Sequence, residues 1–460
     1  MADLSTSELT EVPAGIEYYP EGASVDKLIL YANDGREIEL KKMLIEFNYY
    51  EDIYSFVVSG SVSLRDGQGL VETFQLTGNE FLEVDFGRVK DSENNTSRKF
   101  RIYKLGNRTP IGNLNSEVLT LHFCSEELLL SEQKKITRSY NGNGGQEIWK
   151  TVEQILTNEL QVTKEMDIEL TTGLHNFIVP RLKPFEAISW LSTYAKPASQ
   201  ELQGADMLFF ENKNGFNFKS LRTLFEEDPY DTYVYQQNNT DSTPEEKARA
   251  VLQFEFVKSF DMLNEISSGT YANRLISVDP QTRSYKITDF SYDNYTSNVA
   301  KPMNGSSVLQ DSKNRFGQTQ SNSFESVVKV VIGNSGSQTD SYISNIQGSV
   351  AKDISVENFV PYRTAQMALA NHTVVKIVVP GDPELVAGST IVFNIFSLKT
   401  VGERKELDPY YSGKYLVSAC RHVLQSSGIY QTILEIVKES YGTELQPMVE
   451  TPDLKAAANE

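Results

Sequence analysis

YRTAQMALANHTVVKIVVPGDPELVAGSTIVFNIF, residues 362–396, opens the stretch that decides the fold, and this stretch ends at Lys438. A short helical pattern comes first, followed by the strand pattern KIVVP and the turn Gly381-Asp382-Pro383. Two further strand patterns complete it, GKYLVSACRHV (413–423) and IYQTILEIVKES (429–440). This order predicts a small closed or nearly closed β-barrel with one flanking helix. Gly381 and Gly388 are predicted at turn positions with positive φ.

The N-terminal third carries the same kind of pattern. Val58, Val62 and Leu64 alternate with serines before the turn Asp66-Gly67, and a period of two indicates a strand with one buried face. Further short strand patterns follow from residues 81, 100 and 118. Together they predict a first tube-type β-barrel domain over residues 16–135, preceded by a flexible segment, residues 1–15.

Between the barrels the pattern changes to that of mixed helices and strands. A glycine cluster precedes an apolar helical stripe from Ile148, Lys183-Pro184 begins a second helix, and residues 207–218 indicate a hairpin. We expect a middle α/β domain over residues 136–235, a second tube-type barrel over 236–440 with a loop insertion at about 300–345, and a tail over 441–460. The predicted fold class is therefore mainly β with α/β insertions, with two similar small tube-type β-barrels.

The two barrels correspond in the order of their elements. Gly60 and the strand ending at Asp66 match Gly269 and the strand ending at Asp279, and Gly78 matches Gly388. The strands from Phe100 and Val118 match those from Tyr415 and Tyr430. This order indicates a weak internal repeat.

The amino-acid sequence of these stretches resembles that of a known protein family. The residues that carry the resemblance are Arg363, Val379-Pro380-Gly381-Asp382, Ala387-Gly388, Tyr415, the strand 430–437, Gly269–Asp279, KPFEAISWLSTYAKPA (183–198) and MLFFENKNGFNFKSL (207–221). Together, in their order along the chain, they resemble the central baseplate hub proteins of contractile-tailed (T-even-type) phages, and the related hub module of type VI secretion spikes.

The resemblance implies a structural role without chemistry. Such a hub is a homotrimer that attaches on one side to a threefold central spike and on the other to the sixfold tail tube or its initiator protein, with wedge proteins around it. Viral DNA would pass through without specific binding. The implied location is the tail baseplate of the virion, after assembly in the host bacterial cytoplasm, and no cofactor is implied.

Composition restricts the alternatives. The net charge of −19 and pI of about 4.8 argue against a surface that grips nucleic acid, since such surfaces cluster Lys and Arg. We therefore expect a neutral to acidic channel wall. No apolar run is long enough to predict a membrane span, and the N-terminus shows no signal pattern. Two cysteines make no disulfide framework, so we expect both to be reduced.

Each candidate chemical site has a simpler structural explanation. His122 with Cys124 and Cys420 with His422 would form a zinc site if their strands met, but residues two apart share a face in any strand. The glycines before Gln146-Glu147 lack the Gly-Lys-Ser/Thr sequence of a phosphate-binding loop.

Acidic pairs also offer an enzymatic alternative. Glu226-Glu227-Asp228 and Asp91 with Glu93 could serve glycoside hydrolysis, but a chain with 62 carboxylates produces such pairs by chance. We therefore predict no catalytic, cofactor or metal residues. A wall-degrading hydrolase and a glycan-binding tail protein of the same kind of particle remain the competing classes.

The assembly interface is predicted at strand edges. Three copies would place six barrels around the axis, each pairing with the next through open edges in the strands 58–64, 81–86, 391–396 and 430–437. The predicted interface residues are Val58, Val62, Leu64, Phe81, Val84, Ile391, Phe393, Tyr430, Thr432 and Leu434.

Overall fold

A computed structural model describes most of the chain. The described residues are 23–88, 95–112, 116–140, 145–198, 206–235, 243–279, 283–298, 302–309, 319–332, 357, 359–401, 404–443 and 445. The predicted flexible segment 1–15, most of the predicted tail and most of the predicted loop at 300–345 lie outside these ranges.

Strands dominate the described chain. They are β1 Ala23–Tyr31, β2 Glu37–Glu39, β3 Leu44–Asp52, β4 Ser59–Asp66, β5 Phe81–Arg88, β6 Thr96–Pro110, β7 Glu117–Cys124, β8 Ser139–Tyr140, β9 Met166–Ile168, β10 Thr171–Thr172, β11 Phe177–Ile178, β12 Lys196–Pro197, β13 Met207–Asn212, β14 Gly215–Ser220, β15 Thr232–Val234, β16 Gln253–Lys258, β17 Ala272–Asp279, β18 Ser284–Ser291, β19 Val328–Ile332, β20 Thr373–Pro380, β21 Thr390–Asn394, β22 Phe396–Val401, β23 Arg404–Leu407, β24 Gly413–Gln425 and β25 Tyr430–Lys438.

The helices are short. They are α1 Leu70–Phe74, α2 Glu126–Gln133, α3 Ile148–Gln154, α4 Pro184–Ser192, α5 Leu221–Glu226, α6 Pro244–Ala248, α7 Met262–Ser268, α8 Tyr292–Asn298 and α9 Val360–Leu369. A π-helical turn, Ile155–Glu159, continues α3, and 3-10 turns occupy Lys41–Met43 and Gln320–Asn322. The predicted mainly β class with α/β insertions is confirmed.

One sheet of 13 strands contains both predicted barrel regions, in the order β16-β20-β25-β24-β3-β4-β7-β6-β5-β1-β2, with β21 and β15 branching from β24. In the first half, antiparallel strands β1 and β3 to β7 wrap around one core that includes Phe47, Phe86, Phe100 and Phe123. Among the described strands no ladder joins β1 to β3, so this half is a curled sheet without a hydrogen-bonded closure.

The second half repeats this arrangement around its own core. Strands β16, β20, β21, β24 and β25 enclose Val375, Ile391, Phe393, Tyr415 and Leu434. The two halves share one strand order, since β5-β6-β7-β4-β3 corresponds to β21-β24-β25-β20-β16. The five strands of one half also come in the same order along the sequence as their five counterparts in the other half. The predicted similarity of the two units is therefore confirmed. The predicted domain limits stay a prediction.

One element of the predicted repeat is wrong. The strand ending at Asp279 is β17, which pairs with β18 and β19 in a separate three-stranded sheet, so the counterpart of Gly60–Asp66 is β20. A glycine and an aspartate mark where a strand begins and ends, but they do not specify its partner. The segment between Lys258 and Thr373 therefore contains a folded insertion, with α7 to α9 and this sheet, that begins well before residue 300.

The middle region supplies a hairpin that reaches both halves. β13 and β14 pair antiparallel from Met207↔Ser220 to Asn212↔Gly215, as predicted, and β9 adds a parallel strand. α3 and α4 bury Ile148, Val152, Phe185 and Ile188 against this sheet. β15 then leaves the region and pairs in parallel with β21.

Glycine is needed at the two turn positions, 381 and 388, for different physical reasons. Gly388 has a φ of +92°, which confirms the predicted left-handed position. The prediction is wrong for Gly381, which has no positive φ: a Cβ there would lie 2.1 Å from Cγ of Tyr430, so the ring excludes any side chain.

Candidate assembly interface

The two sheet halves are joined edge to edge within the chain. β3 and β24 pair antiparallel from Glu46↔Gln425 to Asp52↔Ala419. The Arg421 guanidinium, on this junction, donates hydrogen bonds of 2.9 and 2.7 Å to Oδ1 of Asn48. The β3–β24 ladder of backbone hydrogen bonds therefore joins the two units into one continuous sheet.

A buried carboxylate fixes the turn of the β13–β14 hairpin against this junction. Glu51 is 1% exposed, and its carboxylate accepts hydrogen bonds from the backbone N–H of Ala387 at 2.9 Å and of Lys213 at 2.5 Å. The Tyr49 hydroxyl donates a third at 3.0 Å. Burial raises the pKa of Glu51 to about 7, although these hydrogen bonds oppose the shift. One side chain thus ties the first half, the hairpin and the second half together.

A second buried carboxylate, Glu211, lies on β13, two residues before Lys213 of the hairpin turn. Glu211 is fully buried and accepts from the Arg98 guanidinium at 2.9 Å and from Nζ of Lys164 at 2.8 Å. It also accepts from the backbone N–H of Val58 at 3.1 Å. Because its charge is matched by two cations and a peptide dipole, this network holds the hairpin to the first half.

The sequence prediction missed both carboxylates. Each follows a mainly apolar or aromatic stretch in a strand pattern, FNYY before Glu51 and MLFF before Glu211. A charged residue at an inward position was the available signal, because such a residue needs a partner when buried.

Nine of the ten predicted interface residues fill the chain's own cores. Their exposed fraction is 5% or less, and the nine are Val58, Val62, Leu64, Val84, Ile391, Phe393, Tyr430, Thr432 and Leu434. Phe81 is half-buried. Their proximity to a neighbouring subunit stays a prediction.

The prediction that the strands of these residues have open edges is wrong. β4, β5, β21 and β25 each pair with strands on both sides. Alternation shows which side of a strand is buried, but not whether that strand lies at an edge, which depends on pairings distant in sequence.

The cysteine and histidine pairs do not meet. β3 and β4 separate β7, with Cys124, from β24, with Cys420. Both cysteines are free and buried. Across the described residues, no group of three His, Cys, Asp or Glu side chains is arranged to hold a metal ion.

Cys420 and His422 are close enough to resemble a nucleophilic pair. The Cys420 Sγ lies 3.3 Å from Nε2 of His422, whose Nδ1 lies 2.9 Å from the Tyr430 hydroxyl. Burial raises the pKa of the Cys420 thiol and lowers the pKa of His422 to about 3. A neutral thiol beside a neutral, buried imidazole is not an activated nucleophile.

The acidic candidates have ordinary partners where the structure describes them. Glu226 pairs with Arg222 at 2.9 Å, and Glu227 with Lys219 at 2.8 Å. Asp91 and Glu93 lie outside the described residues. No helix in the described part of the chain is long and apolar enough to cross a membrane.

Known proteins resemble this chain in sequence and fold. A probable baseplate hub protein of Vibrio phage KVP40 is 21% identical over 397 residues, which cover 84% of this chain and 87% of that protein. This similarity confirms the resemblance to baseplate hub proteins. No family model matches the chain.

Two crystal structures share the fold. A tail protein from Neisseria meningitidis MC58 aligns with a TM-score of 0.51 and 9% identity, covering 91% of this chain and 97% of its own. The 43 kDa tail protein of prophage MuSo2 from Shewanella oneidensis aligns with a TM-score of 0.52 and 6% identity, covering 90% and 98%.

Proposed function

We propose that this chain is a structural subunit of a contractile-tail baseplate hub and acts as a symmetry adapter without catalysis. The observation that carries the proposal is the pair of like five-strand units joined by β3 and β24 in one chain. The similarity over most of the chain to a probable phage baseplate hub protein supports the same assignment.

The adapter function follows from symmetry. A threefold spike cannot make equivalent contacts with a sixfold tube through one unit per subunit. Three copies of a chain with two similar units present six of them, so a homotrimer offers threefold contacts on one side and approximately sixfold contacts on the other. Its partners are the central spike, the tail tube or tube-initiator protein, and the wedge proteins around the hub.

The hub also forms part of the DNA conduit. DNA must pass quickly, and inward Lys or Arg would hold its phosphates, so the net charge of −19 favours a neutral to acidic wall. The protein assembles in the host cytoplasm and belongs to the tail baseplate of the virion.

Three measurements on the purified full chain test the proposal. Negative-stain images should give a threefold ring with a central hole, and native mass spectrometry should give three copies. Incubation with peptidoglycan or glycans should release no product. A monomer at every concentration would refute the adapter function, and turnover above that of a heat-inactivated sample would favour the wall-degrading hydrolase instead.

A further inference from the structure

We infer that β16 of one copy pairs antiparallel with residues 103–110 of β6 in a second copy of this chain. The inference rests on the proposed function, because it requires self-association. It assigns the surface that joins neighbouring subunits, and the template for it is the junction between the two halves of a single chain.

The template applies because β6 and β24 are equivalent in detail. β24 has a register shift between Val417 and Ala419 in its ladder with β25, and β6 has one between Ile102 and Lys104 in its ladder with β7. When the two shifts are aligned, Ala419 is the equivalent of Lys104, and Arg421 is the equivalent of Gly106.

The strands opposite them are equivalent as well. Phe47 pairs with Val62 in the first half, and Phe254 pairs with Ile377 in the second. The same alignment makes β16 the equivalent of β3. In the described chain β16 pairs only with β20, so its outer edge, which corresponds to the junction edge of β3, has no partner strand.

The edge of β6 that would receive β16 is open at the equivalent place. In the second half, the N–H of Val417 donates to the Ser389 carbonyl at 2.8 Å, and the β3 ladder begins at Ala419. In the first half, the N–H of Ile102 donates to the Glu80 carbonyl at 3.0 Å. Beyond Ile102, β6 continues to Pro110 with β7 on one side and no described strand on the other.

Exposed apolar side chains accompany both open edges. Tyr103 and Leu105 on β6 are 48% and 38% exposed. On β16 and the turn after it, Val257 and Phe260 are 51% and 69% exposed, and Leu263 of α7 is 83% exposed. An open strand edge with apolar neighbours is costly to leave in water, and pairing the two edges would cover both.

The register follows from the β3–β24 ladder. Two further shifts enter the count: β16 has one between Phe256 and Lys258 in its ladder with β20, and β6 has a second one between Gly106 and Thr109 in its ladder with β7. With these shifts, Tyr50↔Arg421 in the chain predicts Lys258↔Gly106 between copies, and Asn48↔Val423 predicts Glu255↔Thr109. Phe260 then lies opposite Lys104, beside Tyr103 and Leu105. The β16-to-β6 contact uses different surfaces on the two copies, so it repeats around an axis and closes a ring when the step matches that within the chain.

A disulfide between copies tests the register. The double variant Glu255→Cys with Thr109→Cys, both on exposed positions, should form a covalent trimer on mild oxidation of the full chain and lose it on reduction. Cys124 and Cys420 are buried, so they should not take part.

The matched control moves one cysteine to another strand of the sheet. Glu255→Cys with Lys27→Cys places it on β1, where Lys27 is 52% exposed, and should give at least tenfold less covalent trimer. Each single variant should give at most a dimer band. Unchanged circular dichroism and melting temperature of the reduced variants show that the fold is intact.

The outcomes separate this inference from the proposed function. A trimer by native mass spectrometry without the Glu255–Thr109 crosslink, or with an equal Glu255–Lys27 crosslink, overturns the assigned edge and leaves the proposed function standing. A chain that stays monomeric overturns both.

Discussion

Glu265 shows how one buried residue depends on its partners. It is 2% exposed, and its carboxylate accepts hydrogen bonds from the Tyr271 hydroxyl at 2.5 Å, Nδ1 of His372 at 2.9 Å and Nζ of Lys258 at 3.0 Å. Burial alone would raise the pKa of Glu265, but the hydrogen bonds and the charge of His372 lower it to about 2. The cluster ties the insertion to β16 through Lys258 and to the start of β20 through His372, and a partner 107 residues away from Glu265 cannot be recognised from a local pattern.

Glu265→Gln should therefore destabilise the protein in a pH-dependent way. The folded pKa lies below the unfolded value of about 4.5, so the stabilisation is present above pH 4.5 and is lost as the pH falls towards 2. At pH 7 the free energy of unfolding should drop by about 3 kcal/mol, measured by urea titration. The difference from the wild type should shrink by pH 3.5.

The control for this change is Glu325→Gln. The Glu325 side chain is 90% exposed and lies 4.0 Å from Arg274, so the free energy of unfolding should change by at most about 0.5 kcal/mol. A Glu265→Gln effect that is equal at pH 7 and pH 3.5 would contradict the linkage.

At the scale of elements, the β13–β14 hairpin joins the two sheet halves. Glu211→Gln should cost about 3–5 kcal/mol, because it leaves the Arg98 guanidinium, 13% exposed, without its paired carboxylate, whereas Lys164 keeps its ion pair with Glu127 at 2.7 Å. Amide hydrogen exchange should accelerate in β13 and β14 and at the Ala387 amide, and stay unchanged in β17 and β18, which form another sheet.

Glu226→Gln is the matched surface change for the hairpin. Its carboxylate is 68% exposed beside Arg222, so both the stability and the exchange pattern should resemble the wild type. Faster exchange across the whole chain in Glu211→Gln would instead mean that the carboxylate acts on global unfolding and has no local role at the hairpin.

Local patterns in the sequence identify elements better than they identify partners. Alternation from Val58 to Leu64 and the turn Asn212–Gly215 predicted a strand and a hairpin correctly, because both depend on neighbouring residues. The sheet assigned to β17, the open edges and the role of Glu51 could not be predicted in that way. Each depends on a contact with residues far along the chain, such as Glu51 with Ala387.

At the scale of the whole molecule, charge opposes the assembly that shape favours. Each chain carries a net charge of −19, so three copies carry three times that charge, −57. The edge contacts proposed between copies are backbone hydrogen bonds and apolar side chains, neither of which salt weakens strongly. Long-range repulsion between copies, in contrast, is screened, since the Debye length falls from about 30 Å at 0.01 M salt to about 10 Å at 0.1 M.

Trimer formation should therefore strengthen with ionic strength. In sedimentation-velocity runs at fixed protein concentration, the trimer fraction should rise as NaCl increases from about 10 mM to about 300 mM, and the association rate should rise with it. Replacing NaCl by an uncharged osmolyte at matched osmolality controls for effects of solvent other than screening. If the trimer instead dissociates as salt is added, ion pairs across the interface dominate its stability, and the edge pairing of β16 with β6 is not the main contact between copies.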